Sequence, residues 1–297
     1  MKNENRNKNI DFLRGIAIVG VVLIHSYFPN KMSDETLSIV ANFQYYFNWV
    51  VLAFFYSSGY FSTWHIDKSK IKKLFIKLII PCLFFSIFYL IVKVIVFYFG
   101  GFNSLTIESI FLNAMPMAPQ FYFLLYLFIV IVISHILNIW FLILASSLIV
   151  LFIPTPSYLY GSDITLIPFY FLSYAFGYIS HHKSNYVVFT TVAVISVIKA
   201  DAMYLFLLTP SLIMVLSRYV NGIIYNITTY LGRRSLAIYV LHTPIILPLL
   251  MGIMTKISNY SLLNFIISVG LTIVLSIFIF DIIELVRNKY EKSRRPM

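Results

Sequence analysis

The sequence predicts an all-α membrane protein, a bundle of about ten transmembrane helices with both termini cytoplasmic. Three observations carry that prediction. The first is composition: the 297 residues are 60% hydrophobic and 11% charged, with a mean hydropathy of +0.87. Globular chains run at about 45–50% apolar and about 25% charged, so an excess this large along the whole chain is solvated by lipid. The second is spacing. Apolar runs bounded by polar residues, Pro or Gly fall at 10–29, 39–63, 74–99, 119–135, 138–154, 165–180, 186–199, 202–218, 233–252 and 262–284, most of them near the roughly 20 residues that cross a bilayer core. The third is charge asymmetry. With the N-terminus inside, 18 of the 22 basic residues fall on the cytoplasmic side, leaving outside only Lys31, Lys199 and Lys256, with Lys93 inside a span. That is the bias of the positive-inside rule, and two cytoplasmic termini require an even number of spans. Ser134-His135 and Asn138 barely separate two of the runs, so apolarity alone allows nine to eleven spans; the charges select ten.

These numbers exclude several functions. Ten spans use about 200 residues, which leaves connections too short for a soluble catalytic domain, so residues 1–297 form a single transmembrane domain with none appended. The net charge of +11 reads as orientation in lipid rather than as a nucleic-acid footprint. The one cysteine, Cys82, rules out a disulfide framework and a cysteine metal centre, and no metal is expected.

The first span is retained, because His25-Ser26-Tyr27-Phe28-Pro29 lacks a small-x-small cleavage site. It carries Asp11, Arg14 and His25. Eleven positions separate Arg14 from His25, nearly three whole turns, so the two share a face, with Asp11 one turn earlier on the same stripe. His25 then stands roughly 16 Å deeper than Arg14. Ionisable groups inside a span normally face the bundle interior, and a buried imidazole is a candidate general base. Interfacial anchoring of Asp11 and Arg14, and simple packing of His25, explain the same residues. In the second span, Ser58 and Gly59 mark close helix approach. The stretch 68–77, read as a basic loop before Pro81, holds five lysines, among them Lys72, Lys73 and Lys77. It serves either as a phosphate grip or as a topology signal against anionic headgroups. Gln120 and Tyr122 enter the fourth span from the outer side, open to a substrate there. His65 and His135 read as interfacial, and His181-His182 as a solvated turn without a further metal ligand. Tyr239 and His242, one turn apart before Pro244, face one cavity as substrate contacts or as a bridge between helices. Asp281, Glu284 and Arg287 pair within the last helix.

Six segments, in order, resemble the acyltransferase-3 family of integral-membrane O-acyltransferases. IDFLRGIAIVGVVLIH at 10–25 looks like its first-helix signature, and FFYSSGYF at 54–61 like its aromatic-rich Ser-Gly-aromatic segment. KKLFIKLIIP at 72–81 resembles its basic stretch running into a proline, although that stretch often carries arginines and here holds lysines. APQFYFLLYL at 118–127, PFYFLSYAFGYI at 168–179 and LGRRSLAIYVLHTP at 231–244 are similar to its later helices. The resemblance implies transfer of an acyl group, usually acetyl from acetyl-CoA, to a carbohydrate hydroxyl of the cell envelope or an exported glycan, in a bacterial plasma membrane. It makes His25 the catalytic base or acyl carrier, with Arg14 contacting the donor's charge or orienting the site. Membrane lipids and a carbohydrate acceptor are the expected partners, and the residues say nothing of oligomeric state. The rival is a transporter or flippase for a polysaccharide or lipid-linked intermediate, although the chain lacks the repeated halves many transporters show.

Overall fold

The computed structural model describes residues 7–26, 33–63, 68–100, 122–182, 185–242 and 261–293, with isolated positions between 246 and 253. It is all-helical, with no strand among the described residues. The helices are α1 (Lys8–His25), α2 (Asp34–Tyr46), α3 (Val50–Tyr60), α4 (Lys68–Gly100), α5 (Tyr122–Ile136) and α6 (Ile139–Phe152). They continue with α7 (Ile167–His182), α8 (Asn185–Lys199), α9 (Thr209–Leu216), α10 (Gly222–Arg233), α11 (Ser235–Leu241) and α12 (Leu262–Ser293). Among the described residues two stretches are long and apolar enough to cross a bilayer alone: Asp34–Tyr60, where α2 joins α3 through a turn, and Leu262–Val286 of α12. Four shorter apolar helices accompany them. Large apolar side chains face outward, among them Phe152 at 85% and Val197 at 79% exposure, a surface suited to lipid rather than water.

Helix α1 is the hub, packing against α2, α3, α9, α10, α11 and α12. A second centre is α7, which packs on α3, α5, α6 and α8. Two crossings are close enough to demand glycine. A Cβ on Gly59 would collide with the Tyr174 carbonyl, and one on Gly177 with the Tyr56 carbonyl, so α3 and α7 meet backbone to backbone in both directions. Gly15 stands likewise against Thr228 and Gly232 against Asp11, locking α1 to α10. In lipid, where apolar burial gives helices no reason to associate, such contact supplies the dispersion energy that does. Asn48, fully buried in the turn between α2 and α3, ties distant segments together: its Oδ1 accepts from the Leu159 N–H at 2.9 Å, and its Nδ2 donates to the Met203 sulfur at 3.4 Å.

The structure revises three expectations. The basic stretch at 68–77 is helix, the opening turns of α4, with Pro81 inside the helix rather than at its start. Lysine is a good helix former, and the proline removes only one bond, the one to the Lys77 carbonyl. The expected span at 233–252 is preceded by a separate helix, α10, and the chain turns at Arg234 between α10 and α11. Asp281 and Glu284 pair with that same Arg234, at 2.8 and 2.9 Å. They bind across to the turn between α10 and α11, because a guanidinium at a helix break reaches both carboxylates in its fork geometry. The side chains of Lys93 and Arg287, and Pro244 itself, lie outside the described residues.

Candidate active site

The site begins on α1. The N-terminus of that helix is fixed by Asn7, whose side chain accepts from the Asn9 N–H at 2.9 Å. Asp11 is buried where α1 crosses α10, its carbonyl against Gly232. One turn on, Arg14 donates from Nε to the Ser57 hydroxyl of α3 at 2.9 Å, and the Ser57 hydroxyl in turn donates a hydrogen bond to the Phe54 carbonyl at 3.0 Å. The guanidinium also stands 5.9 Å from the centre of the Phe61 ring. Ser57 is fully buried, so this bond fixes the direction of the arginine from beneath.

At the other end of α1, the half-buried His25 ring lies against His242, the ring centres 5.2 Å apart and tilted by 52°. His242 is buried. Its Nδ1 faces two carbonyl oxygens, Tyr239 at 2.7 Å and Ile238 at 3.1 Å. Carbonyls only accept, so Nδ1 carries the proton and the lone pair is on Nε2. Tyr239 follows, 5.8 Å from His242 and 5.2 Å from Phe123 between ring centres. The structure thus brings together His25, Tyr239 and His242, three residues from two distant segments.

Two adjoining cavities lead toward this aromatic cluster. One, about 290 Å³, is lined by Lys70, Lys73 and Lys77 of α4, by Ser58, Ser62 and Thr63, and by His135 and Tyr174. The other, about 230 Å³, is lined by Arg14, Lys77, Ser58, Phe123, Ser235 and Tyr239. Ser58, Leu74, Lys77 and Ile131 belong to both. The second cavity reaches Tyr239, whose ring lies against His242, while His25 and His242 themselves line neither cavity. Lys70, Lys73 and Lys77 stand three and four residues apart, on one helical face. Lys72 is exposed and lines neither cavity, since two residues from Lys70 is about 200° around the helix. Gly59 does not line them either; its place is the backbone contact with α7.

Tyr122 sits at the head of α5, where its hydroxyl accepts from the Gly161 N–H at 2.9 Å and so holds the turn before α7. Gln120 lies outside the described residues. Sequence reasoning missed Ser57 and Phe123, held Lys70 only as one of the five lysines of 68–77, and read His135 as interfacial. Of these, Lys70 was recoverable from helical spacing. Ser57 was visible only as the neighbour of Ser58, because its partner lies 43 positions away. Among the described residues no group of three metal-ligating side chains occurs.

No curated protein and no solved structure shows a significant match to this chain. The acyltransferase domain of the acyltransferase-3 family matches residues 7–281, nearly the whole length. A chain of apolar helices with a polar, cavity-lined interior thus belongs to the acyltransferase-3 family and is a membrane acyltransferase.

Proposed function

We propose that this protein is an O-acyltransferase that takes an acyl group, acetyl by preference, from cytoplasmic acyl-CoA and delivers it to a hydroxyl of an envelope or exported carbohydrate. The observation that carries this reading is the continuity of the two cavities, from a mouth of three lysines to Tyr239 against His242 and His25. Phosphates of the donor rest on Lys70, Lys73 and Lys77. Arg14, roughly 16 Å along α1 from His25, touches the donor below the reacting carbonyl rather than the carbonyl itself. The pantetheine arm passes Ser58 and Phe123, and the thioester meets the histidines. His25 removes the proton from the acceptor hydroxyl as the oxygen attacks the thioester carbonyl. The C–S bond then breaks, and the leaving thiolate takes up the proton. The Nε2 lone pair of His242, set by the Nδ1–H bonds to Tyr239 and Ile238, receives a hydrogen bond from the imidazolium that forms. In this reading the chain crosses a bacterial plasma membrane ten times with both termini cytoplasmic, and the lysine mouth opens to the cytoplasm.

The test is label transfer in membranes supplied with radiolabelled acetyl-CoA. Wild type acetylates a glycan fraction, and His25→Ala at equal expression loses that transfer. Full transfer by His25→Ala removes His25 from the chemistry. Absence of CoA-dependent labelling in wild type overturns the transferase reading and returns a transporter to the front.

A further inference from the structure

Phe61 caps the C-terminal end of α3 and lines the lysine cavity. Among the described residues on that wall, Tyr174 also carries a benzene ring, but it is buried, with its hydroxyl donated to Ser62 Oγ at 2.7 Å. Phe61 is 47% exposed. Its ring is held in place: Tyr60 meets it edge to face, ring centres 5.5 Å apart at 83°, and the Arg14 guanidinium stands 5.9 Å from its centre. Lys70, Lys73 and Lys77 share the same wall, and no carboxylate does among the described residues. An open aromatic ring beside several cations suits a flat π-system that carries phosphates, which is the chemistry of an adenine nucleotide. The lysines are also ordered along the route. Lys70 lies nearest Phe61 in the chain's layout, its Nζ 3.5 Å from Thr63 Oγ1, and it lines only the lysine cavity, whereas Lys77 lines both cavities. Seven residues of helix set these two roughly 10 Å apart along α4. From the mouth inward the order is an aromatic ring with Lys70, then Lys73, then Lys77, then the cavity that reaches Tyr239. Coenzyme A has the same order: adenine, a ribose 3′-phosphate, a pyrophosphate, and the pantetheine arm with its thiol.

We infer that Phe61 is the platform on which the donor's adenine stacks, with Lys70 on the 3′-phosphate and Lys77 on the pyrophosphate, so that the site selects coenzyme A thioesters over thioesters carried on a protein-bound phosphopantetheine. This rests on the acyl-CoA reading above and adds to it the residues that choose the form of the donor. Both forms share the pantetheine arm and the phosphate next to it, so Lys77 and the inner cavity serve either one. The adenine and the 3′-phosphate belong to coenzyme A alone, and Phe61 and Lys70 are the residues placed to read them. The Arg14 guanidinium stacks on the same ring as the adenine, so one aromatic side chain joins the nucleotide end of the site to the arginine that Ser57 directs.

The experiment measures dissociation constants of coenzyme A, 3′-dephospho-coenzyme A and 4′-phosphopantetheine for the full chain in phosphatidylcholine nanodiscs, where no anionic lipid competes. Wild type should bind coenzyme A tightest and phosphopantetheine weakest. Phe61→Leu should weaken coenzyme A and its dephospho form by about five- to tenfold, the lower end of what a base gains on an aromatic ring, and leave phosphopantetheine within about twofold. Phe61→Tyr keeps a flat ring and should bind coenzyme A within about twofold of wild type. Lys70→Gln should weaken coenzyme A by about two- to fivefold, the scale of one exposed charge contact, and leave the dephospho form as it was. In turnover, the Phe61→Leu loss should fall on the acetyl-CoA KM rather than on kcat. Wild type that binds all three probes alike overturns the adenosine subsite without recourse to any variant. Equal weakening of phosphopantetheine and coenzyme A by Phe61→Leu overturns the stacking role, since the ring would then act only through Arg14 or the fold, and so does a Phe61→Tyr loss as large as that of Phe61→Leu. Equal weakening of coenzyme A and its dephospho form by Lys70→Gln overturns the 3′-phosphate contact. Absence of coenzyme A binding by wild type overturns the donor reading itself, and this inference with it.

Discussion

Lys72 and Lys73 are neighbours with equal charge on the same stretch of α4, yet only Lys73 lines the lysine cavity. This separates a phosphate grip from a topology signal. A topology signal counts charges near the membrane face and is blind to which side of a helix bears them. A phosphate grip depends on the face. The perturbation is a pair of variants, Lys73→Gln with Lys77→Gln, set against Lys72→Gln. Two unit charges about 4 Å apart attract by roughly 1 kcal/mol in bulk water and about 4 at an effective dielectric of 20. Both lysines are exposed, so screening keeps each contact near the lower value, about 0.5–1 kcal/mol. Removing two costs about 1–2 kcal/mol, or roughly a five- to thirtyfold rise in the acetyl-CoA KM. Because the contacts form in the bound ground state as well as in the transition state, kcat should hardly move. Lys72→Gln should stay within about twofold of wild type. The assay is initial-rate acetyl transfer in membranes at low ionic strength, and added salt should shrink the difference between variants. If Lys72→Gln raises the KM as much as the Lys73/Lys77 pair, the cavity is not the donor's phosphate site, and the lysines act only through their collective field.

Three further perturbations test other parts of the site. Ser57→Ala removes the acceptor that directs Arg14 at 2.9 Å; it should raise the donor KM by about three- to tenfold with little change in kcat, the range of a partly exposed charge-assisted bond, and an unchanged KM would show that Arg14 needs no anchor. His242→Gln should lower kcat by about 10–100-fold, a part of the 10²–10⁴ that a positioned base supplies, while the double variant with His25→Ala should be no worse than His25→Ala alone; additive losses would mean the two rings act separately. Gly59→Ala forces a methyl into the Tyr174 backbone and should cost at least about 1–3 kcal/mol, read as a lower melting temperature in detergent. Gly270→Ala, with nothing within 4 Å of the added carbon, should leave stability unchanged or raised by about 0.5–1 kcal/mol, and equal destabilisation by both would refute the close-contact explanation.

What the sequence made legible follows from the range over which its signals act. The alignment of Arg14 with His25 is a property of one helix, computable from 100° per residue, and the structure keeps both on α1. The Lys70–Lys73–Lys77 stripe rests on the same arithmetic, but reading 68–77 as a loop before Pro81 hid it, since proline is usually a boundary and here is absorbed within α4. Helix α10 escaped because its apolar face is narrow, with Asn226, Thr228 and Thr229 interrupting the run, so no stretch of membrane-spanning hydropathy marks it. The contacts that assemble the site are long-range. Ser57 meets Arg14 across 43 positions, His135 meets Thr63 across 72, and Arg234 meets Glu284 across 50. No single-chain periodicity carries such pairings.

The two glycine crossings explain which parts of the site are rigid. Helix α1, with Arg14 and His25, is locked to α10 through Gly15 and Gly232, and α3, with Ser57 and Ser58, is locked to α7 through Gly59 and Gly177. Arg14 and its Ser57 anchor therefore sit where the backbones are in direct contact, while His25, the proposed base, lies ten positions beyond Gly15 on the same helix. The remaining wall of the proposed donor route comes from α4, which packs on α5, and from α5, which packs also on α7 and α3, and the lysines and His135 belong to that pair. Catalysis needs fixed distances between base, thioester and hydroxyl, where a displacement of about 1 Å is costly. Capture of a large, flexible polyanion needs a wall held mainly by charge, and the bond from His135 to the Thr63 carbonyl fastens that wall to the segment leaving α3. In the proposed reading the fold thus joins an electrostatic mouth and a backbone-locked Arg14 anchor at one end of α1 to the His25–His242 pair at the other.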